Sequence, residues 1–143
     1  MENIDLSGSK LCKSVFSRSI IINSNFKDSS FCEAFLEEID LTGSDLSYVD
    51  FTKTSLEDAI LKKTNLSYAI LRYADLKDAN LEGANLSYAD LRGANLEGAN
   101  LKGANLVGSN LSGANLKKAI IEDVNLQNGT LYSVIAESAN FKN

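Results

Sequence analysis

The residues that could do chemistry in this chain come in three sets. Acidic side chains gather at Glu37, Glu38, Glu57, Asp58, Asp75, Asp78 and Glu97, while the recurring carboxylates Asp40, Asp45 and Asp50 could be read as catalytic pairs but are placed by their regular spacing for structural reasons. Cys12 and Cys32 are the two cysteines, and a thiol pair invites a disulfide or a metal site. Tyr48, Tyr68 and Tyr88 stand twenty residues apart, as rings would in a platform for sugars or bases. Each set lacks the companions its chemistry needs. There is no His, so no imidazole activates a Ser or Cys nucleophile, and two thiols alone make a weak metal site. No Gly-rich phosphate loop sits at a strand–helix junction. The sequence predicts no enzyme, no cofactor and no bound metal.

What positions these residues is a period of five. From Ala74 to Ala119 a small residue, then Asp or Asn, then Leu, then two variable residues recur without a slip. With the Leu as centre, the register runs from Leu6 to Phe141 through 28 centres: 20 Leu, five Phe, Ile21, Ile121 and Ala136. The residue two before each centre is small or β-branched almost throughout. On a helix, five residues advance a side chain by roughly 140°, so no apolar stripe forms. On a straight strand, odd spacing points successive Leu to opposite faces. Both apolar positions reach a common interior only if the chain turns a corner in every repeat, and such coils stack into a continuous core. The twenty-residue recurrences of Tyr, of Arg72 with Arg92, and of Glu37 with Glu57 point to four corners per coil.

In this A(D/N)Lxx pattern the chain closely resembles the pentapeptide-repeat proteins over nearly its whole length. The resemblance implies an all-β fold, a right-handed quadrilateral parallel β-helix with one repeat per face and four per coil. The 28 repeats then make about seven coils, a rod of roughly 34 Å at about 4.8 Å per coil. One domain spans residues 1–143, most regular over 74–119, with degenerate terminal coils at 1–35 and 120–143. Pro is absent, as a ladder donating and accepting on both sides requires. Eight of the nine Gly stand two after a centre, where a corner wants positive φ.

Departures from the pattern carry their own expectations. Phe16, Phe26 and Phe31 at centres oppose Ser14, Ser24 and Ser29, large against small. Val15, Ile20, Ile22 and Phe35 occupy outward positions near one end of the rod, and four together favour a contact surface over scattered apolar residues. Cys12 and Cys32 stack outward in neighbouring coils, but parallel side chains aim poorly at one another, so reduced thiols are expected. Asn65, Asn85, Asn105 and Asn125 are placed to form an amide ladder. The tyrosine ladder on the same face reads as structural stacking, since no basic groove accompanies it. Near the end, Ala136 stands where a Leu belongs, leaving space for Ile135 or Phe141 to fill, and residues 132–143 stay in register without a capping helix.

Net charge is −5, which argues against direct nucleic-acid binding. The face centred on Leu36, Leu56 and Leu76 is the most acidic: the carboxylates named above with Glu137, against Arg18, Lys77, Lys117 and Lys118. The preceding face, with Arg72 and Arg92, is net basic. The N-terminus does not read as a signal peptide and no stretch has the apolar length of a membrane span, so the expected location is cytoplasmic. The expected role is a non-catalytic structural or protein-interaction module, its partner an unidentified protein or a second copy meeting one end of the rod. The resemblance also implies an alternative, because some members of that family mimic duplex DNA in width and charge and bind DNA gyrase. Modest net charge weighs against it.

Overall fold

The computed structural model describes residues 1–142. Its governing feature is a corner at every fifth residue. At every fifth residue from Asn3 to Ser138, 28 positions that fall two after a centre from Gly8 onward, φ is positive, 66–71° at the eight glycines and 52–62° at the other twenty. At most corners the N–H of the residue just after the corner donates to the carbonyl of the centre just passed, as from Ser9 to Leu6 at 3.2 Å and from Ala94 to Leu91 at 3.0 Å. That bond closes a four-residue turn whose third residue requires positive φ.

Between corners the chain is extended just long enough to pair. The isolated bridges are all parallel and all join residue i to i+20, from Glu2↔Ile22 to Asn115↔Ile135. Each uses two backbone bonds: Leu66 N donates to Asn85 O at 2.7 Å, and Asn85 N donates to Thr64 O at 2.9 Å. A longer pairing joins β1 (Ile120–Glu122) to β2 (Asn140–Lys142), also in parallel at the same offset. The result is the expected right-handed quadrilateral parallel β-helix, four repeats to a coil, and no helix occurs among the described residues. Its four walls are the tyrosine wall (centred on Leu46, Leu66 and Leu86), the arginine wall (Leu71, Leu91), the acidic wall (Leu36, Leu56, Leu76) and the fourth wall (Leu41, Leu61, Leu81).

The core is one column of centres and of the small residues two before them, buried from Ile21 to Ile121. At the N-terminal end it is aromatic. The Phe31 ring meets Phe16 edge-on at 5.9 Å, Phe26 at 5.5 Å and, stacked, Phe51 at 5.5 Å. Ser24 and Ser29 supply the small volumes beside these rings, as expected. The buried hydroxyls differ in what they do. Ser44 Oγ accepts from Ser24 N at 3.0 Å and donates to Ile21 O at 3.2 Å, so the hydroxyl relays a turn bond that the backbone leaves open there. Ser29 Oγ is buried with no hydrogen-bond partner among the described residues.

Two expectations are corrected. Cys12 and Cys32 are joined in a disulfide. In-register coils bring their Cα atoms to 4.6 Å, inside the range a bridge accepts, and rotation about the Cα–Cβ bonds overcomes the parallel aim. Neither Ile135 nor Phe141 fills the space beside Ala136; they are 55% and 60% exposed. Ile135 is a bridge residue paired with Asn115, and bridge residues point outward. The eight glycines two after a centre take positive φ as expected, but so do twenty other residues at that position. At Gly93 and Gly108 a Cβ would lie 2.6 Å from the rings of Tyr73 and Tyr88, so these glycines make room for a tyrosine from the preceding coil. Asn143, the last residue of the segment expected to lack a capping helix, lies outside the described residues.

The two serines generate opposite expectations for one substitution. Ser29→Ala removes an unpaired buried hydroxyl and should raise unfolding free energy by about 1 kcal/mol in urea titration, whereas Ser44→Ala orphans Ser24 N and Ile21 O and should lower it by about 1–2 kcal/mol. The disulfide is checked by alkylation: iodoacetamide should label neither cysteine before treatment with a dithiol reductant and both afterwards.

Candidate functional site

Along the outer walls, the residue before each centre sets the local order. Where it is Asp or Asn, its Oδ1 accepts the N–H two residues on, as Asp75 does from Lys77 at 3.1 Å and Asn65 from Ser67 at 3.3 Å. The same side chains bond between coils. On the tyrosine wall Asn105 Nδ2 donates to Asn85 at 3.1 Å, Asn85 to Asn65 at 3.2 Å and Asn65 to Asp45 at 3.0 Å. On the acidic wall Asn115 donates to Asn95 at 3.1 Å and Asn95 to Asp75 at 2.9 Å. Both ladders run the same way and end on an acceptor-only carboxylate. Asn125, the expected fourth member, bridges Asn105 through backbone, while its Oδ1 accepts from Gln127 N.

The tyrosine ladder forms as expected, with ring centroids 5.0 and 5.1 Å apart and planes within 12°. Its geometry decides between the two uses of stacked rings. The faces of Tyr68 are covered by its neighbours, the outer face of Tyr48 by the Lys27 ammonium at 5.9 Å, and Tyr88 leans over Gly108. Within the stack the faces pair with one another, as structural stacking requires.

Charge on the acidic wall is largely paired between coils. Glu38 meets Arg18 at 3.1 Å, Glu57 and Asp78 share Lys77 at 2.6 and 3.6 Å, Glu97 meets Lys118 at 3.3 Å and Glu137 meets Lys117 at 3.4 Å. Asp75 is consumed by its ladder and by the Lys77 backbone. Glu37 is pushed up by partial burial, but the hydroxyls of Ser17 and Ser55 outweigh this and hold its carboxyl below the usual range. On the arginine wall the expected basic character is neutralised locally. Asp90 accepts from Arg92 Nε at 2.8 Å and from its second guanidinium nitrogen at 2.7 Å, and from Arg72 Nε at 2.5 Å. The bond from Arg92, opposed by burial and joined by Arg72, lowers the Asp90 pKa to about 2.

The four apolar candidates divide between two walls. Val15 and Phe35 pair as a bridge on the acidic wall and are 72% and 52% exposed. Ile20, 61% exposed, lies around the corner on the fourth wall, and Ile22 beside it is half-buried. Beside the Val15–Phe35 column, along the same wall, is a groove of about 500 Å³ lined by Ser17, Arg18, Glu37, Glu38, Glu57 and Asp58. The apolar pair and the densest acid, next to one another in each repeat of the sequence, thus adjoin over successive coils. The linear signal for this was present in their shared twenty-residue phase.

The family description "Pentapeptide repeats" matches the chain in eight copies, over residues 1–37, 24–62, 59–98 and 94–131. The chain belongs to the pentapeptide-repeat proteins, a class generally of structural or interaction modules. Among solved structures it is similar to HetL, a pentapeptide repeat protein involved in heterocyst differentiation regulation from the cyanobacterium Nostoc sp. strain PCC 7120, at 30% identity over 98% of this chain and 84% of that one, with a TM-score of 0.41. It is similar to full-length QnrB1, a plasmid-mediated fluoroquinolone resistance protein, at 21% identity over 100% of this chain and 93% of that one, with a TM-score of 0.52. It also resembles Rfr23 of the cyanobacterium Cyanothece 51142, at 28% identity over 98% and 90% of the two chains, with a TM-score of 0.37. No curated protein matches.

The Asp90 knot sets a pH dependence. Its carboxyl titrates lower folded than unfolded, so its contribution is complete above about pH 5 and is lost as pH falls from about 4 toward 2. Asp90→Asn should cost about 1 kcal/mol at pH 7, and the gap in thermal midpoint between it and the wild type should close as pH falls through that window.

Proposed function

We propose that this chain is a non-catalytic protein-interaction module that associates through its N-terminal coils, with an unidentified protein or a second copy as partner. The observation that carries this reading is the exposed stack of Val15 on Phe35, with Ile20 and Ile22 around the corner. Isoleucines at the equivalent wall position in the interior coils, Ile60, Ile70 and Ile120, are only 36–37% exposed, each between polar residues of neighbouring coils, and the comparably exposed Ile135 stands in the last coil beside polar Asn115. The N-terminal group is more exposed than the interior isoleucines and contiguous, the condition under which surface apolar residues mark a contact.

The DNA-mimic reading is the weaker one. A duplex carries one charge per about 1.7 Å, whereas this wall offers eight acids over roughly 34 Å, and most are paired with Lys or Arg. Attraction that sparse fades at physiological ionic strength, where screening acts over about 8 Å. The likeness to QnrB1, at 21% identity, speaks to fold alone.

Two measurements test this. The double change Val15→Ser and Phe35→Ser should weaken association, read by light scattering and by cross-linking in host lysate, with the far-ultraviolet circular dichroism unchanged; association identical in the variant would sink the reading. Micromolar protein should leave gyrase supercoiling uninhibited. Inhibition lost on changing Glu37, Glu38 and Glu57 to Gln and Asp58 to Asn would promote the mimic instead.

A further inference from the structure

We infer that the N-terminal half of the acidic wall is a docking surface for a basic amphipathic segment of a partner protein, whose apolar side chains seat on Val15 and Phe35 and whose Lys or Arg residues enter the groove of Glu37, Glu57 and Asp58. This deepens the proposed function, resting on it and adding the partner's chemistry.

The argument starts from what the two residues forgo. At this wall position farther along, Asp75, Asn95 and Asn115 each accept the N–H two residues on, and the latter two also bond the coil before. Val15 and Phe35 can do neither. They give up a turn bond apiece and, although paired with one another, leave most of Val15 and half of Phe35 in water. Their column continues into Ser55, which bridges Phe35, and the groove acids run alongside it.

The second half of the surface is the groove. Four carboxylates line it against one guanidinium, that of Arg18 on Glu38. Lys77 reaches Glu57 from the coil below, but Asp58 has no ion pair among the described residues and Glu37 is held only by hydroxyls. A wholly apolar occupant would bury these charges unpaired, at a cost no apolar contact offsets. A wholly basic one would leave Val15 and Phe35 wet. The occupant complementary to both carries an apolar stripe beside cations. The disulfide fixes the platform: Cys12 and Cys32 stand three residues before Val15 and Phe35 in the same two coils, so the bridge holds the pair in register.

The test uses the full chain and a synthetic amphipathic peptide of Leu and Lys, with two control peptides in which Gln replaces Lys or Ser replaces Leu. Fluorescence anisotropy at about 0.15 M salt should show binding to the Leu–Lys peptide, weakened at least tenfold for either control. Two variants should lose binding to a similar degree, Val15→Ser with Phe35→Ser, and Glu37→Gln with Glu57→Gln and Asp58→Asn. Ser55→Lys, which sets a cation beneath Phe35 in place of a hydroxyl on Glu37, should weaken it as well. Absent binding by the wild type, or binding indifferent to the Val15 and Phe35 changes, overturns the inference. If the association measured by light scattering and cross-linking still depends on Val15 and Phe35, the assigned chemistry falls alone and the interaction reading stands.

Discussion

Everything in this rod depends on a left-handed residue at each corner. Twenty non-glycine side chains accept a conformation that costs each of them about 1 kcal/mol, and they include Tyr, Lys, Arg and Glu as well as the more tolerant Asn and Asp. The compensation is collective. Corner residues with a coil after them donate their N–H to it, as Tyr68 does to Ser87 O at 3.0 Å and Asp78 to Glu97 O at 2.8 Å. The corner also turns the next centre inward, and from Ile21 to Ile121 those side chains are buried. A single coil would bear the strain with neither return, so the strain is sustainable only in a stack.

The walls are organised by the same offset but under looser rules. Inside, only size and apolarity matter. Outside, the residue before each centre chooses between joining an amide ladder, anchoring guanidinium groups as Asp90 does, or standing free as Val15 and Phe35 do. The ladders have a sense. An Asn interior can donate one way and accept the other, and Asp, with nothing to donate, serves at the head. Alternation of Asp and Asn at this position is therefore part of the wiring of the wall.

The period of five and the twenty-residue phase were legible because they repeat through the chain, so coil, register, tyrosine stack and most of the amide ladder could be read directly. The disulfide was not, because the aim of two parallel side chains depends on rotamers that spacing does not record. Nor was the role of Gly93 and Gly108, which answers to a ring one coil earlier. Ser29 and Ser44 occupy the same repeat position and are indistinguishable in sequence, yet one hydroxyl relays a turn bond and the other is stranded. The adjacency of Val15 and Phe35 with the groove acids followed from phase, but their exposure, and the pairing of most of the other acids, needed the side chains themselves.

The fixed offset of twenty also constrains how such a chain can evolve. Gaining or losing one five-residue repeat would leave the core intact, because every centre is apolar and every corner alike. It would also rotate every downstream residue onto the neighbouring wall, a quarter turn out of place. Placed between Val15 and Phe35 it would part that pair and leave Cys32 no longer beside Cys12; placed between Tyr48 and Tyr68 it would split the ring stack. Folding tolerates changes in units of five, whereas the surface is inherited only in units of twenty.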